Sequence, residues 1–157
     1  MHAAENEKGF ALILALVMLV LLTILGAYVL STSSTEMFIA GNYKNAQRAF
    51  YAADAGEEYG QRDGTIYAAI LPGTASQWPA PGAGNGTTST DYQSLPMGDT
   101  SADVKVKFVM SGELPAGAGS SSEDFQANYF VVTSIGLGPA NARIDVECLV
   151  AKIVPKN

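Results

Sequence analysis

Phe10-Ala-Leu-Ile-Leu-Ala-Leu-Val-Met-Leu-Val-Leu-Leu-Thr-Ile-Leu-Gly-Ala-Tyr-Val-Leu30 runs without one charged side chain, directly after Glu7-Lys8-Gly9. A bilayer core is crossed by about 20 such residues as helix, at roughly 1.5 Å each. The core helix of a small soluble domain keeps a polar face, and this run has none. The chain is therefore expected to be made at a membrane. A secretory signal peptide has a positive start, a shorter apolar core and a small-residue cleavage site after that core. Here the small residue, Gly9, precedes the core, and the run passes Leu30 into helix-favouring sequence. An ordinary signal anchor is the competing reading.

Lys8-Gly9-Phe10 abutting an apolar helix resembles the class III leader of type IV pilins and type II secretion pseudopilins. The resemblance implies a leader over residues 1–9. It implies cleavage between Gly9 and Phe10 by a prepilin peptidase, and N-methylation of Phe10. A second block is similar to the N-terminal region of PilX-type minor pilins. It runs from Glu36 through Ala40-Gly41-Asn42 to Ala49-Phe50, Ala53 and Asp54. The likeness covers roughly the first 60 residues. It departs from major pilins at Leu14, the fifth residue after the expected cut, where they carry Glu. A charge in the bilayer core is costly and marks function. Some minor pilins and K-type pseudopilins are similar in lacking this Glu. A subunit without it suits a tip or initiating complex better than the bulk of a filament.

Between Phe10 and Arg62 there is no proline, and Ala, Leu, Glu, Gln, Lys and Arg favour helix after Leu30. The spacing predicts one helix of about 50 residues, spanning a membrane over 10–30 and amphipathic over 31–62. Ile39, Tyr43, Ala46, Phe50 and Ala53 step by four and three, which predicts the apolar stripe that packs on a sheet. Ala49, Ala52, Ala53, Ala55 and Gly56 form a small-residue surface, suited to close approach of the protein's own sheet or of a neighbouring subunit. Ser33-x-x-Glu36 fits a capping box but is read as lying within the continuous helix. Gly26 and Gly41 admit two readings, close helix packing or a soft point that stretches on assembly. Glu58 and Arg62 are placed to pair at i,i+4.

From Asp63 to Ser101 the chain is rich in Gly, Pro, Ser and Thr and reads as a long connection, with Thr65–Leu71 a brief helix or turn. Trp78 is either a plug on the sheet or an exposed contact. Asn85-Gly86-Thr87 matches a glycosylation sequon but reads as a turn. Three alternating runs follow, around Val104–Met110, Tyr129–Ile135 and Ile144–Val150, each with one dry and one wet face. The last two should pair antiparallel across Gly136–Asn141. Lys105 and Lys107 would pair with Asp145 and Glu147 if their strands were neighbours. The expected fold is α+β, a pilin-like ladle: a long N-terminal helix on a small antiparallel sheet, with loop and sheet occupying residues 63–157.

The net charge of −6 argues against nucleic acid, whose capture leans on Lys and Arg; Lys44 and Arg48 are the only clustered bases. The single histidine, His2, lies in the expected leader, which removes Ser-His-Asp, Cys-His and His-zinc chemistry from the processed chain. No phosphate-cradling loop is present. Glu57 and Glu58 diverge by about 100° on a helix and make a poor acid/base pair. Glu123 and Asp124 lack calcium-ligand spacing and read as solvated charges. Cys148, the only cysteine, precludes an intramolecular disulfide and reads as a small hydrophobe in a strand, with an intermolecular bridge as the alternative.

No catalysis, metal or cofactor is expected. The resemblance implies a non-enzymatic minor pilin that primes or modulates pilus assembly and surface adhesion. Its partners would be other pilins or pseudopilins, the peptidase and inner-membrane lipid. Before assembly the N-terminus would be cytoplasmic, and afterwards the subunit would sit in a periplasm-spanning or extracellular filament. A type II secretion pseudopilin, a bulk pilus subunit and a single-span anchored binding domain are the alternatives.

Overall fold

A computed structural model describes residues 3–70, 76–117, 119 and 121–156. His2 and Leu71, which entered the reading above, lie outside the described residues. Helix α1 runs Ala3–Arg62 without interruption, so Ser33 does not start a second helix. The chain divides into two compact units, Met1–Gly41 and Asn42–Asn157.

In the first unit every described side chain from Gly9 to Gly41 is exposed. Its most apolar window has a mean hydropathy of 2.9, and α1 is long and apolar enough to cross a membrane.

The second unit is α+β. Its sheet has strands β1 (Gln77–Trp78), β2 (Gln93–Met97), β3 (Thr100–Gly112), β4 (Phe125–Leu137) and β5 (Arg143–Pro155). All pairings are antiparallel. β4 lies between β3 and β5, and β1 and β2 share the other edge of β3. Gly98, at φ 72°, makes the tight β2–β3 turn. A turn over Pro139–Asn141 joins β4 to β5; it is shorter than the expected Gly136–Asn141, because Gly136 and Leu137 still pair as part of β4. The two lysines and the two acids do not meet across a strand pair, because β4 separates β3 from β5. Lys105 instead lies over the Tyr92 ring, 4.4 Å from its centroid.

One face of the sheet carries Ala102, Val104, Val106, Phe108, Phe130 and Val132, all buried. Two helices cover it rather than the one expected. Beyond α1, the short helix α2 (Gly64–Ala69) brings Ile66, with Ile70 just past its end, into the same cluster. Asp63 caps α2: its Oδ1 accepts from Thr65 N (2.9 Å) and Thr65 Oγ1 (2.6 Å), which holds the carboxyl below its usual pKa. Trp78 packs against the core cluster as a plug and lies tilted on Tyr59, with 6.2 Å between centroids.

The connection over 63–101 therefore holds a helix and two strands as well as loop. Part of it also covers the sheet's other face. Thr88 N donates to Asp103 Oδ2 there, and Asp103 is fully buried although its alternation predicts a wet position.

Candidate functional site

The candidate functional surface is α1, taken unit by unit. In the first unit the stretch from Phe10 to Thr35 carries no charge, and four of its hydroxyls turn back on the helix. Thr23 Oγ1 donates to Val20 O (2.7 Å), Thr32 Oγ1 to Tyr28 O (3.1 Å), Ser34 Oγ to Leu30 O (3.0 Å) and Thr35 Oγ1 to Ser31 O (3.1 Å). Each of these four donors is satisfied without water, as hydrocarbon requires, and of the four Thr23 lies within the span over 10–30. Phe10 and Leu14 are exposed on this rod, and so is Gly9. Glu36, Ala40 and Gly41 are exposed as well. A Cβ at Gly26 or Gly41 would meet no atom within 4 Å, so close packing inside this chain explains neither glycine.

In the second unit α1 lies on the sheet through its smallest residues. Ala49, Ala52, Ala53, Gly56 and Gly60 are buried. A Cβ on Gly60 would stand 2.7 Å from Val132 Cγ1; one on Gly56 would stand 2.7 Å from Ala102 Cβ and collide with Ser134 Oγ. From the opposite side Gly136 of β4 presses on the helix backbone, where a Cβ would collide with Ala49 O and stand 2.6 Å from Ala53 N.

The predicted apolar stripe is therefore not the packing face. Ile39 and Tyr43 are about two-thirds exposed, and Phe50 is 47% exposed. Only Ala53, with the half-buried Ala46, turns inward from that set. The stripe ranked residues by apolar size, whereas this interface selects for closeness. Of the motif residues in this unit, Ala49 and Ala53 are buried in the interface, while Asn42, Phe50 and Asp54 face out. Gly60 and Gly136 were missed; the signal for Gly60 was its four-residue spacing from Gly56.

Polar contacts tie the ends of this interface. Arg48 Nη1 pairs with Asp99 Oδ2 at 2.5 Å, joining α1 to the β2–β3 turn. That pairing commits one of the two clustered bases. Arg62 Nη2 pairs with Glu58 Oε1 at 2.6 Å, as predicted. Lys152 Nζ donates to Gln61 O (3.2 Å) and sits 4.3 Å from the Tyr67 ring centroid. Tyr67 Oη donates to Gly60 O (2.8 Å), and burial pushes its pKa to about 12. Cys148 is half-buried on the helix side of β5, with Gln61 Nε2 3.4 Å from its Sγ. Burial first, then the neighbouring Glu57, pushes its thiol to about 11, so it stays protonated and unreactive at neutral pH. Among the described residues no group of three His, Cys, Asp or Glu side chains could hold a metal.

Comparison with known proteins bears on this helix alone. Residues 8–57 match the family described as PilX N-terminal. Curated proteins and solved structures give no match. The matched segment starts at Lys8, ahead of the uncharged span, and ends beside Gly56, within the stretch of α1 seated on the sheet. Residues 8–57 of this chain are thus similar to the N-terminal region of PilX-type pilins.

Proposed function

We propose that the protein is a non-enzymatic minor pilin of a type IV pilus, which primes or modulates pilus assembly and surface adhesion. The observation that carries this is a pilin-type N-terminal match laid over a helix with no charge from Phe10 to Thr35 and with four of its hydroxyls bonded to its own carbonyls. Such a rod is equally at ease in lipid and among like helices. Transfer from membrane to filament core then costs little, and dispersion packing selects the neighbours.

In this reading residues 1–9 are the leader. A prepilin peptidase cuts between Gly9 and Phe10, and Phe10 is N-methylated. The span over 10–30 waits in the inner membrane with its N-terminus in the cytoplasm. Leu14 offers no carboxylate to the N-terminus of a neighbouring subunit, which supports a tip or initiating position over a bulk one. The same leucine keeps a type II secretion pseudopilin as the second reading.

Two measurements test the proposal. Mass spectrometry of the native protein is expected to find a chain starting at N-methylated Phe10; a chain starting at Met1, or cut beyond Leu30, refutes it. Deletion of the gene is expected to reduce pilus number or adhesion while leaving residual filaments of normal diameter. Loss of a secreted protein with pili intact would move the protein to the secretion system.

A further inference from the structure

The sheet's two edges are built differently. Among the described residues, one edge, beyond β3, carries only the short β1 and β2, with Pro79 directly after the first and Pro96 inside the second. Short strands and prolines are how sheets defend an edge against unwanted pairing. The other edge is β5, 13 residues long and proline-free until Pro155.

The direction of β5's backbone groups follows from the bonds at its two ends. Lys156 N donates to Asp124 O, and Gly138 N to Ala142 O, both at 2.8 Å. With Phe125 opposite Pro155 and Leu137 opposite Arg143, the even-numbered residues of β5 are those that bond to β4. The N–H and C=O groups of Arg143, Asp145, Glu147, Leu149, Ala151 and Ile153 therefore point away from the sheet. Their side chains share one face, the one opposite α1. Leu149 is 64% exposed there and Ile153 41% exposed. Beside Leu149 opens a cleft of about 390 Å³ lined by Val109, Met110, Leu114 and Tyr129.

We propose that β5 is a docking edge for an extended strand of a different polypeptide, with a basic residue opposite Glu147 and β-branched apolar residues beside Leu149 and Ile153. Backbone pairing of this kind gives affinity, and alternate side chains give specificity. A second copy of this chain offers this edge little of that basic complement. Among the six outward-bonding residues the only base is Arg143. A two-fold antiparallel pairing that sets Arg143 opposite Glu147 of the second copy also sets Asp145 against itself, and like charges directly opposite destabilise.

The test uses the full chain in detergent micelles. The probe is a fluorescent synthetic strand as long as Arg143–Ile153, with Lys facing Glu147 and Asp145 and Val facing Leu149 and Ile153. Anisotropy is expected to show saturable binding that disappears when alternate peptide nitrogens of the probe are N-methylated, a change that leaves the protein untouched. Leu149→Pro removes a central outward N–H without touching the β4 ladder and is expected to weaken binding by about tenfold or more. Glu147→Lys, at an exposed site, is expected to weaken it by about threefold and to be rescued by a probe with Glu in place of Lys. Absence of saturable binding, or equal binding of the N-methylated probe, overturns the proposal. So does a concentration-dependent dimer that Leu149→Pro abolishes, which would give the edge to a second copy.

Discussion

Replacing Gly136 by Ala adds one methyl group, and the structure assigns it a large effect. Gly136 does not have a positive φ, so alanine is conformationally acceptable there. On backbone grounds alone the change should stabilise by about 0.4–1 kcal/mol through the unfolded chain. The new Cβ, however, would collide with Ala49 O and stand 2.6 Å from Ala53 N. Both are main-chain atoms of α1, so no side-chain rotation relieves the clash and the helix must lift. Overpacking costs typically about 1–3 kcal/mol, and backbone partners place this site at the upper end. The net expectation is a loss of about 2 kcal/mol. For a unit of this size that lowers Tm by about 8 °C and the urea midpoint by about 1.5 M. Circular dichroism melts of the full chain in micelles, followed in the β-sheet band, measure it. An unchanged or raised Tm would refute the close-approach account of the helix–sheet interface.

Gly56→Ala is expected to destabilise despite its helix-favouring chemistry, whereas Gly41→Ala, with open space around it, should add helix stability of about 0.5–1 kcal/mol; paired thermal melts read the opposite signs. Cys148, with its thiol pushed from 9.0 to about 11, should react with a disulfide reagent at pH 8 about 100-fold more slowly than a free cysteine; urea should restore the normal rate. The contribution of Cys148 and Tyr67 to stability should be level below pH 9 and fall as pH rises toward 12, since in the folded protein they hold their protons to about 11 and about 12; the urea midpoint on the alkaline side shows this. Arg48→Ala and Asp99→Ala should each cost under about 1 kcal/mol, and the double variant little more than either, because the exposed pair is one interaction.

What was legible in the sequence was whatever is local and periodic. The uncharged run from Phe10, the proline-free stretch to Arg62 and the positions of β3, β4 and β5 each declare themselves within a short window, although the wet face expected of β4 is absent: none of its residues is exposed, and Phe130 and Val132 are the ones turned to the core. β1 and β2 did not, because Gln77–Trp78 and Gln93–Met97 are strands only by virtue of pairing with β3, and Pro79 and Pro96 argue against them locally. Asp103 was expected to be wet; the Thr88 amide that receives it comes from 15 residues upstream. The packing face of α1 was misassigned for a different reason. Hydrophobic periodicity weights side chains by size, and so chose Ile39, Tyr43 and Phe50. The sheet rests instead on Ala49, Ala53, Gly56 and Gly60, whose merit is how little they occupy.

That economy of volume makes helix and sheet a matched pair. A bulkier helix from a related subunit cannot be fitted beneath this β4 without displacing it, and this helix under a bulkier sheet would leave a void. Hybrids with a homologous chain joined near residue 41 should therefore fold, and hybrids joined near residue 58 should not.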